Sequence, residues 1–176
     1  MEATSRPNRL ENLASLATIL VSLLLSAVLI KVFLLPQPGA APNPSQPRAG
    51  MSMKQSLPGV DWARNKRTLV LAISTQCHYC TESAPFFQRI QKEKAKDLKL
   101  IAVLPQSVDE SRKYLEGEGV QVDNVKQATL NAIGVTGTPT LLLVDSSGTV
   151  ADVWQGKVQP EQEGGVLAAL KKDASQ

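Results

Sequence analysis

The chain predicts an α/β domain built on a central mixed sheet flanked by helices, occupying residues 59–176, and three observations carry that expectation. The uncharged, β-branched run Thr68-Leu69-Val70-Leu71-Ala72-Ile73 is followed by a helical pattern and then by a second apolar run, Leu98 to Leu104. Strand, helix and strand in that order make a parallel unit with a right-handed crossover. Further on, Thr140-Leu141-Leu142-Leu143-Val144, the turn Asp145-Ser146-Ser147-Gly148 and the run Thr149 to Trp154 read as an antiparallel hairpin. Finally, both cysteines of the protein, Cys77 and Cys80, fall where the first strand gives way to the first helix.

Taken in order, the elements begin before the domain. Residues 1–12 are a polar N-terminus, expected on the cytoplasmic side. Residues 13–35 are apolar apart from small hydroxyls, an asparagine-free run interrupted only by Lys31. As a helix it would be about 34 Å long and able to span a bilayer. Arg6 and Arg9 precede it, which by the positive-inside bias keeps the N-terminus cytoplasmic and the rest of the chain outside. A cleaved signal peptide is the alternative, with Gly39-Ala40-Ala41 as a tolerable cleavage site, although the apolar run exceeds the usual signal core. Residues 36–58 hold prolines at 36, 38, 42, 44, 47 and 58 and few bulky apolar side chains, so they read as a flexible linker. If wholly polyproline-like, it would reach at most about 70 Å.

Within the domain, Thr68 to Ile73 is a strand buried on both faces, because it lacks the polar alternation of a half-exposed strand. Cys80, Ala84, Phe87 and Ile90 recur at helical spacing and mark the inward face of a helix that Pro85 should kink. Asp109 to Glu116 is a surface helix ended by Gly117 and Gly119. A short strand is expected near Val120 to Val122. Gln127 to Ile133 reads as a helix closed by Gly134, and Pro160 to Lys172 as the last helix, with Val166, Leu167 and Leu170 facing inward. Trp62 reads as a packing residue.

Composition excludes several functions. With 176 residues and 43% hydrophobic content, the chain can bury a core. A formal charge of +3, spread without a dense basic block, and only seven aromatics argue against nucleic-acid binding. Two cysteines cannot build a multi-bridge scaffold, and with the single histidine, His78, they fall short of the four ligands of a zinc site. No metal site and no cofactor beyond a redox-active Cys77–Cys80 disulfide are expected.

The pair Cys77-His78-Tyr79-Cys80 carries the chemistry. Two thiols separated by two residues close a small disulfide ring, and a sulfur at the opening of a helix sees unsatisfied backbone N–H groups that favour a thiolate. The thiolate is the species that attacks disulfides. A side chain three residues later points back toward the domain. His78 beside Cys77 stabilises the thiolate or is a solvated spacer; Glu82, one turn into the helix, complements its N-terminus. Tyr79 reads as a surface or packing residue.

The combination of Cys77-His78-Tyr79-Cys80-Thr-Glu-Ser-Ala-Pro85, Gly134-Val135-Thr136-Gly137-Thr138-Pro139-Thr140 and Leu143-Val144-Asp145-Ser-Ser-Gly148 resembles the thioredoxin superfamily from about Val60 onward. It looks most like the membrane-tethered TlpA/ResA-type thiol–disulfide oxidoreductases. The resemblance implies a thioredoxin-like fold with Cys77 as the exposed nucleophile and Cys80 as the buried resolving thiol. It further implies that Pro139 is a cis-proline facing them and that Thr138 offers its backbone to an extended substrate. The implied partners are protein thiols and disulfides, with a membrane electron-transfer partner or an apocytochrome at family level. Gln76 stands where thioredoxins carry Trp, and the preceding strand has no acidic residue, so the reducing behaviour of thioredoxin itself is not implied. His-Tyr between the cysteines with Thr before the proline is similar to oxidising or isomerising Dsb-type proteins.

Two other functional classes stay open at this stage. One is a soft-metal module carrying copper on Cys77, Cys80 and His78. The other is a non-enzymatic interaction domain with a structural disulfide.

Overall fold

The structure, a computed structural model, describes residues 15–26 and 47–172. The chain divides into two units, Met1–Asn43 and Pro44–Gln176. In the first, a helix, α1, runs through residues 15–26 with every side chain exposed, among them Leu16, Ile19, Leu20 and Leu23 to Leu25. Among the described residues no helix is long and apolar enough to cross a membrane. The remainder of the expected span over 13–35 and the linker up to residue 46 lie outside the described residues.

The second unit is a five-stranded mixed sheet. Its strands are β1 (Arg67–Ala72), β2 (Leu98–Leu104), β3 (Asn124–Gln127), β4 (Thr140–Asp145) and β5 (Val150–Gln155), in the order β3-β2-β1-β4-β5. β1, β2 and β3 run parallel, whereas β4 is antiparallel to β1 and to β5. The helices are α2 (His78–Glu82), α3 (Ala84–Glu93), α4 (Val108–Gly117) and α5 (Pro160–Lys171), with one 3₁₀ turn at Leu130–Ile133. The expected thioredoxin-like α/β architecture and its parallel-then-antiparallel layout are therefore present.

β1 lies between β2 and β4, so its side chains feed two cores. Leu69, Leu71 and Ile73 point to one face, where they meet Phe87 and Ile90 of α3 and Val166, Leu167 and Leu170 of α5. Val70 and Ala72 point to the other, where they meet Ile101, Val103, Leu142 and Val144. The period of two in β geometry sorts a continuous apolar strand in this way.

Among the described residues no long helix contributes to that second face. Met53, Leu57 and Trp62 cover it from the N-terminal side, joined by Ile133 and Val135. Met53 is fully buried and its N–H donates to Gly148 O at 2.7 Å, while Gly50 N and Met51 O bond Val150 at 2.8 Å each. The linker expected over residues 36–58 thus differs from the structure in its last part, which pairs with the hairpin and seals the sheet. The reason is energetic. A sheet face lined by Val70, Ala72, Leu142 and Val144 must be covered, and Met53 and Leu57, held in place by the backbone pairing, contribute to that cover together with Trp62, Ile133 and Val135.

Two further differences concern the segment after α4. The strand expected at Val120 to Val122 forms instead at Asn124–Gln127. Val120 N–H is committed to Leu115 O at 2.8 Å in the helix termination, with Gly119 at φ +64°, so bonding to β2 begins only at Asp123, whose N–H donates to Leu100 O at 2.8 Å. The helix expected over Gln127 to Ile133 shrinks to the 3₁₀ turn because Gln127 is claimed by Leu104 across the β2–β3 edge. Gly134 closes that turn at φ +72°, as the left-handed position requires.

Candidate active site at the Cys77–Cys80 pair

The site is assembled where three loops meet beyond the C-terminal end of β1. Ser74 to Gln76 carry the chain from the strand to α2. This segment is held by Gln106, whose amide donates to Ser74 Oγ at 3.1 Å and accepts from Thr75 N at 3.4 Å. Cys77 then caps α2 in an extended conformation, φ −96° and ψ 109°, with its N–H on Ser74 O at 3.1 Å. Its Sγ accepts the Cys80 N–H at 3.2 Å, the role that a serine or aspartate oxygen usually plays at an N-cap. The Cys80 N–H, at the opening of the helix, is satisfied in this way.

Pro85 shapes the next step. Lacking an N–H, it cannot continue one uninterrupted helix, and the chain breaks at Ser83 into α2 and α3. Ser83 Oγ donates to Tyr79 O at 2.7 Å and secures the join. This is the expected kink, expressed as a change of helix.

Cys80 is 1% exposed and packs in the core beside Ala84 and Phe87, whereas Cys77 is half-buried. Both are present as thiols. Burial pushes the Cys80 thiol up to about 12, helped by the hydrogen bond and charge of Cys77, and opposed by hydrogen bonds from Ser74 and Thr138. The two sulfurs thus differ in kind: one accessible and cradled by an N–H, one desolvated and kept protonated.

That shift has a consequence for stability. A thiol whose value is raised by folding contributes stability that is complete below the ordinary value near 9.0 and lost as pH climbs toward about 12. The dithiol form is expected to unfold at progressively lower urea concentration between those pH values. The disulfide form, with no Cys80 thiol to ionise, should lose less over the same range. Parallel urea melts of the two forms across alkaline pH check this.

The third loop brings Thr138 and Pro139. Their peptide bond is cis. Thr138 O faces Cys77 and accepts from its Sγ at 3.4 Å. Pro139 is buried and its carbonyl accepts Gly156 N–H at 2.7 Å, so β4 and β5 remain paired up to the site. Thr140 Oγ1 donates to Gly137 O at 2.7 Å and folds the turn. The structure therefore brings together Cys77, Cys80, Thr138 and Pro139.

His78 and Glu82 are exposed on α2 and paired, Nε2 to Oε1 at 2.9 Å. The other Glu82 oxygen accepts from Lys157 Nζ at 2.8 Å. Lys157, aided by His78, holds the Glu82 carboxyl below the usual carboxylate range. Tyr79 is exposed, its ring tilted against His78 with centroids 5.8 Å apart. Three neighbours had no signal in the sequence. Lys157 follows the glycine that ends β5, Gln106 lies in the β2–α4 connection, and Tyr114 sits on α4 with its hydroxyl 3.2 Å from Thr81 Oγ1. Burial raises the Tyr114 phenol, and the nearby sulfurs add to that. All three come from elements distant in sequence, and only the fold gathers them.

Among the described residues no carboxylate is buried. β1, Arg67–Ala72, likewise carries no acidic residue, as expected.

Comparison with solved structures gives the same fold. A putative thiol:disulfide interchange protein DsbE from Chlorobium tepidum is 25% identical, with a TM-score of 0.50 over 61% of this chain and 82% of that one. A thiol-disulfide isomerase from Corynebacterium glutamicum, 17% identical, superposes with a TM-score of 0.52 over 71% and 93% of the two chains. The thioredoxin domain of a thiol-disulfide oxidoreductase from Bacteroides vulgatus, 16% identical, gives 0.51 over 70% and 93%. The latter two speak to the fold alone. No curated protein sequence matches the chain. A family model described as a thioredoxin-like domain matches residues 62–171, well over half the chain and every strand of the sheet, and the chain belongs to that thioredoxin-like family.

Proposed function

We propose that the protein is a thiol–disulfide oxidoreductase that exchanges disulfides with protein substrates through Cys77 and Cys80. The observation that carries this reading is the asymmetry of the pair: a half-buried Cys77 sulfur accepting an N–H and facing the Thr138 carbonyl, beside a fully buried Cys80. The DsbE-like protein of Chlorobium tepidum, by its name an interchange protein, supports the same chemistry.

In the reducing direction, the Cys77 thiolate attacks one sulfur of a target disulfide. The target's S–S bond breaks and its second sulfur leaves as a thiolate that takes up a proton. Cys80, after giving up its proton, attacks Cys77 Sγ. The bond between Cys77 and the target breaks, the Cys77–Cys80 disulfide forms, and the target has gained two electrons. The oxidising direction runs through the same mixed disulfide in reverse, with a target dithiol as the reductant. The Thr138 backbone, beside the attacked sulfur, offers a hydrogen-bonding edge to an extended target segment.

The reading extends to location. The apolar run over 13–35, with all-round exposed leucines in its described part, and Arg6 and Arg9 before it support a single membrane anchor. The domain then works outside the cytoplasm, where protein disulfides are common, and meets secreted thiols, a membrane electron-transfer partner or an apocytochrome.

A trapping experiment tests the role of each sulfur. The Cys80→Ala chain should accumulate dithiothreitol-sensitive adducts with protein partners, because attack by Cys77 proceeds and resolution does not. The Cys77→Ala chain should accumulate none. Equal trapping by the two variants would overturn the assignment.

A further inference from the structure

The charges on α2 are arranged against one another in a way that the chemistry of the thiol pair alone does not require. His78 lies directly after Cys77, and a positive imidazole there stabilises the thiolate of the reduced form, which makes the disulfide more oxidising. Glu82 sits one turn later and takes His78 Nε2 at 2.9 Å. Its second oxygen is occupied by Lys157, which reaches in from the loop between β5 and α5 at 2.8 Å. The carboxylate thus bridges two basic side chains, one from α2 and one from the far end of the hairpin. Arg89, the next cation along the helices, is committed elsewhere, to Glu93 and Glu163.

We infer that Lys157, Glu82 and His78 form a charge bridge that trims the redox potential of the Cys77–Cys80 couple, with Glu82 lowering it and Lys157 and a protonated His78 raising it. The inference rests on the oxidoreductase reading above. Its sign follows from the reaction: protein disulfide plus two glutathione thiols gives protein dithiol plus glutathione disulfide, with two electrons moving to the protein. Only the reduced side offers a thiolate at Cys77, the species that enters exchange. A negative side chain on α2 therefore disfavours that side, and a positive one favours it. Glu82 and Lys157 are positioning residues in this scheme, acting on the potential through the field at Cys77 and through the placement of the His78 ring.

Solvent reaches all three side chains, so each effect is modest. An exposed charge pair changes an equilibrium by about two- to fivefold, which at about 30 mV per tenfold corresponds to shifts on the order of 10–20 mV.

The test is a glutathione redox titration of the full chain in detergent, read by the fraction of free protein thiol. Relative to the unmodified chain, Glu82→Gln should shift the equilibrium toward the dithiol by about two- to fivefold. Lys157→Gln should shift it the opposite way by a similar factor, and the double variant should return close to the start. In about 1 M salt, where the screening length falls to about 3 Å, the single-variant shifts should shrink. A lost structural staple would not give opposite signs. Shifts of the same sign, or single-variant shifts absent or unchanged in high salt, would overturn the charge bridge while leaving the oxidoreductase reading intact. A chain with no reversible couple at all would overturn both.

Discussion

A chain carrying Cys77→Ala is expected to reduce insulin no faster than the reductant alone, a loss on the order of 10³-fold or more, as when a nucleophile is removed from a site whose groups act as a unit. The physical reason lies in the asymmetry of the two sulfurs. Cys77 is the one that solvent and substrate reach, and its Sγ already accepts the Cys80 N–H. Cys80 is 1% exposed and its thiol stands at about 12, first because it is desolvated. Left alone, Cys80 has neither the access nor the ionisation to replace its partner. The converse variant, Cys80→Ala, should complete one attack per molecule and stall. In the unmodified chain, a mixed disulfide at Cys77 removes the hydrogen bond and the charge with which Cys77 raises Cys80 in the dithiol. Resolution there should therefore accelerate with rising pH and level off below about 12. Stopped-flow insulin reduction by the three chains, followed across alkaline pH, checks both statements. Substantial turnover by the Cys77→Ala chain would contradict them.

A fragment beginning at Val60 is expected to fail to fold, although the sequence alone makes that a natural place to start the domain. Met53 and Leu57 would be missing from the second face of the sheet, where they are 0% and 3% exposed. Deleting a buried Met or Leu side chain costs about 2–5 kcal/mol, and a domain's whole stability is about 5–15 kcal/mol. The bonds from Gly50, Met51 and Met53 to the β4–β5 hairpin would be lost as well. A fragment beginning at Pro44 keeps all of them. Near-ultraviolet circular dichroism and urea titration should show a cooperative transition for the longer fragment and none for the shorter. Equal midpoints would mean that residues 47–58 are dispensable.

How much of this was legible beforehand follows from the range of the interactions. β1, β2 and β4 could be read because strands buried on both faces have to be continuously apolar, and Leu69 to Ile73 or Leu141 to Val144 satisfy that locally. Cys77 and Cys80 could be placed because a helix opening after a strand is a local event, and Pro85 marked the break after it. The cis bond at Pro139 was implied by resemblance, since nothing in a Thr-Pro dipeptide by itself distinguishes cis from trans. Met53 and Leu57 were not legible, because each stands alone among polar residues and has no periodicity. Only the uncovered face of the sheet gives them a role. β3 was misplaced by a few residues because Val120 looks like a strand residue yet serves to end α4. Lys157 was invisible for the same reason as Gln106 and Tyr114: its partner lies far away in sequence, 75 residues in its case.

The central claim is that Cys77 and Cys80 form one reversible two-electron couple. Peptide mapping by mass spectrometry of the full chain, equilibrated in detergent over a series of glutathione ratios and quenched with acid, tests it most directly. The account predicts that an intramolecular Cys77–Cys80 disulfide rises and falls over the series with the same midpoint from either direction. Thiols that remain free at the most oxidising ratio, or glutathione adducts on separate cysteines with no internal bridge, would contradict it.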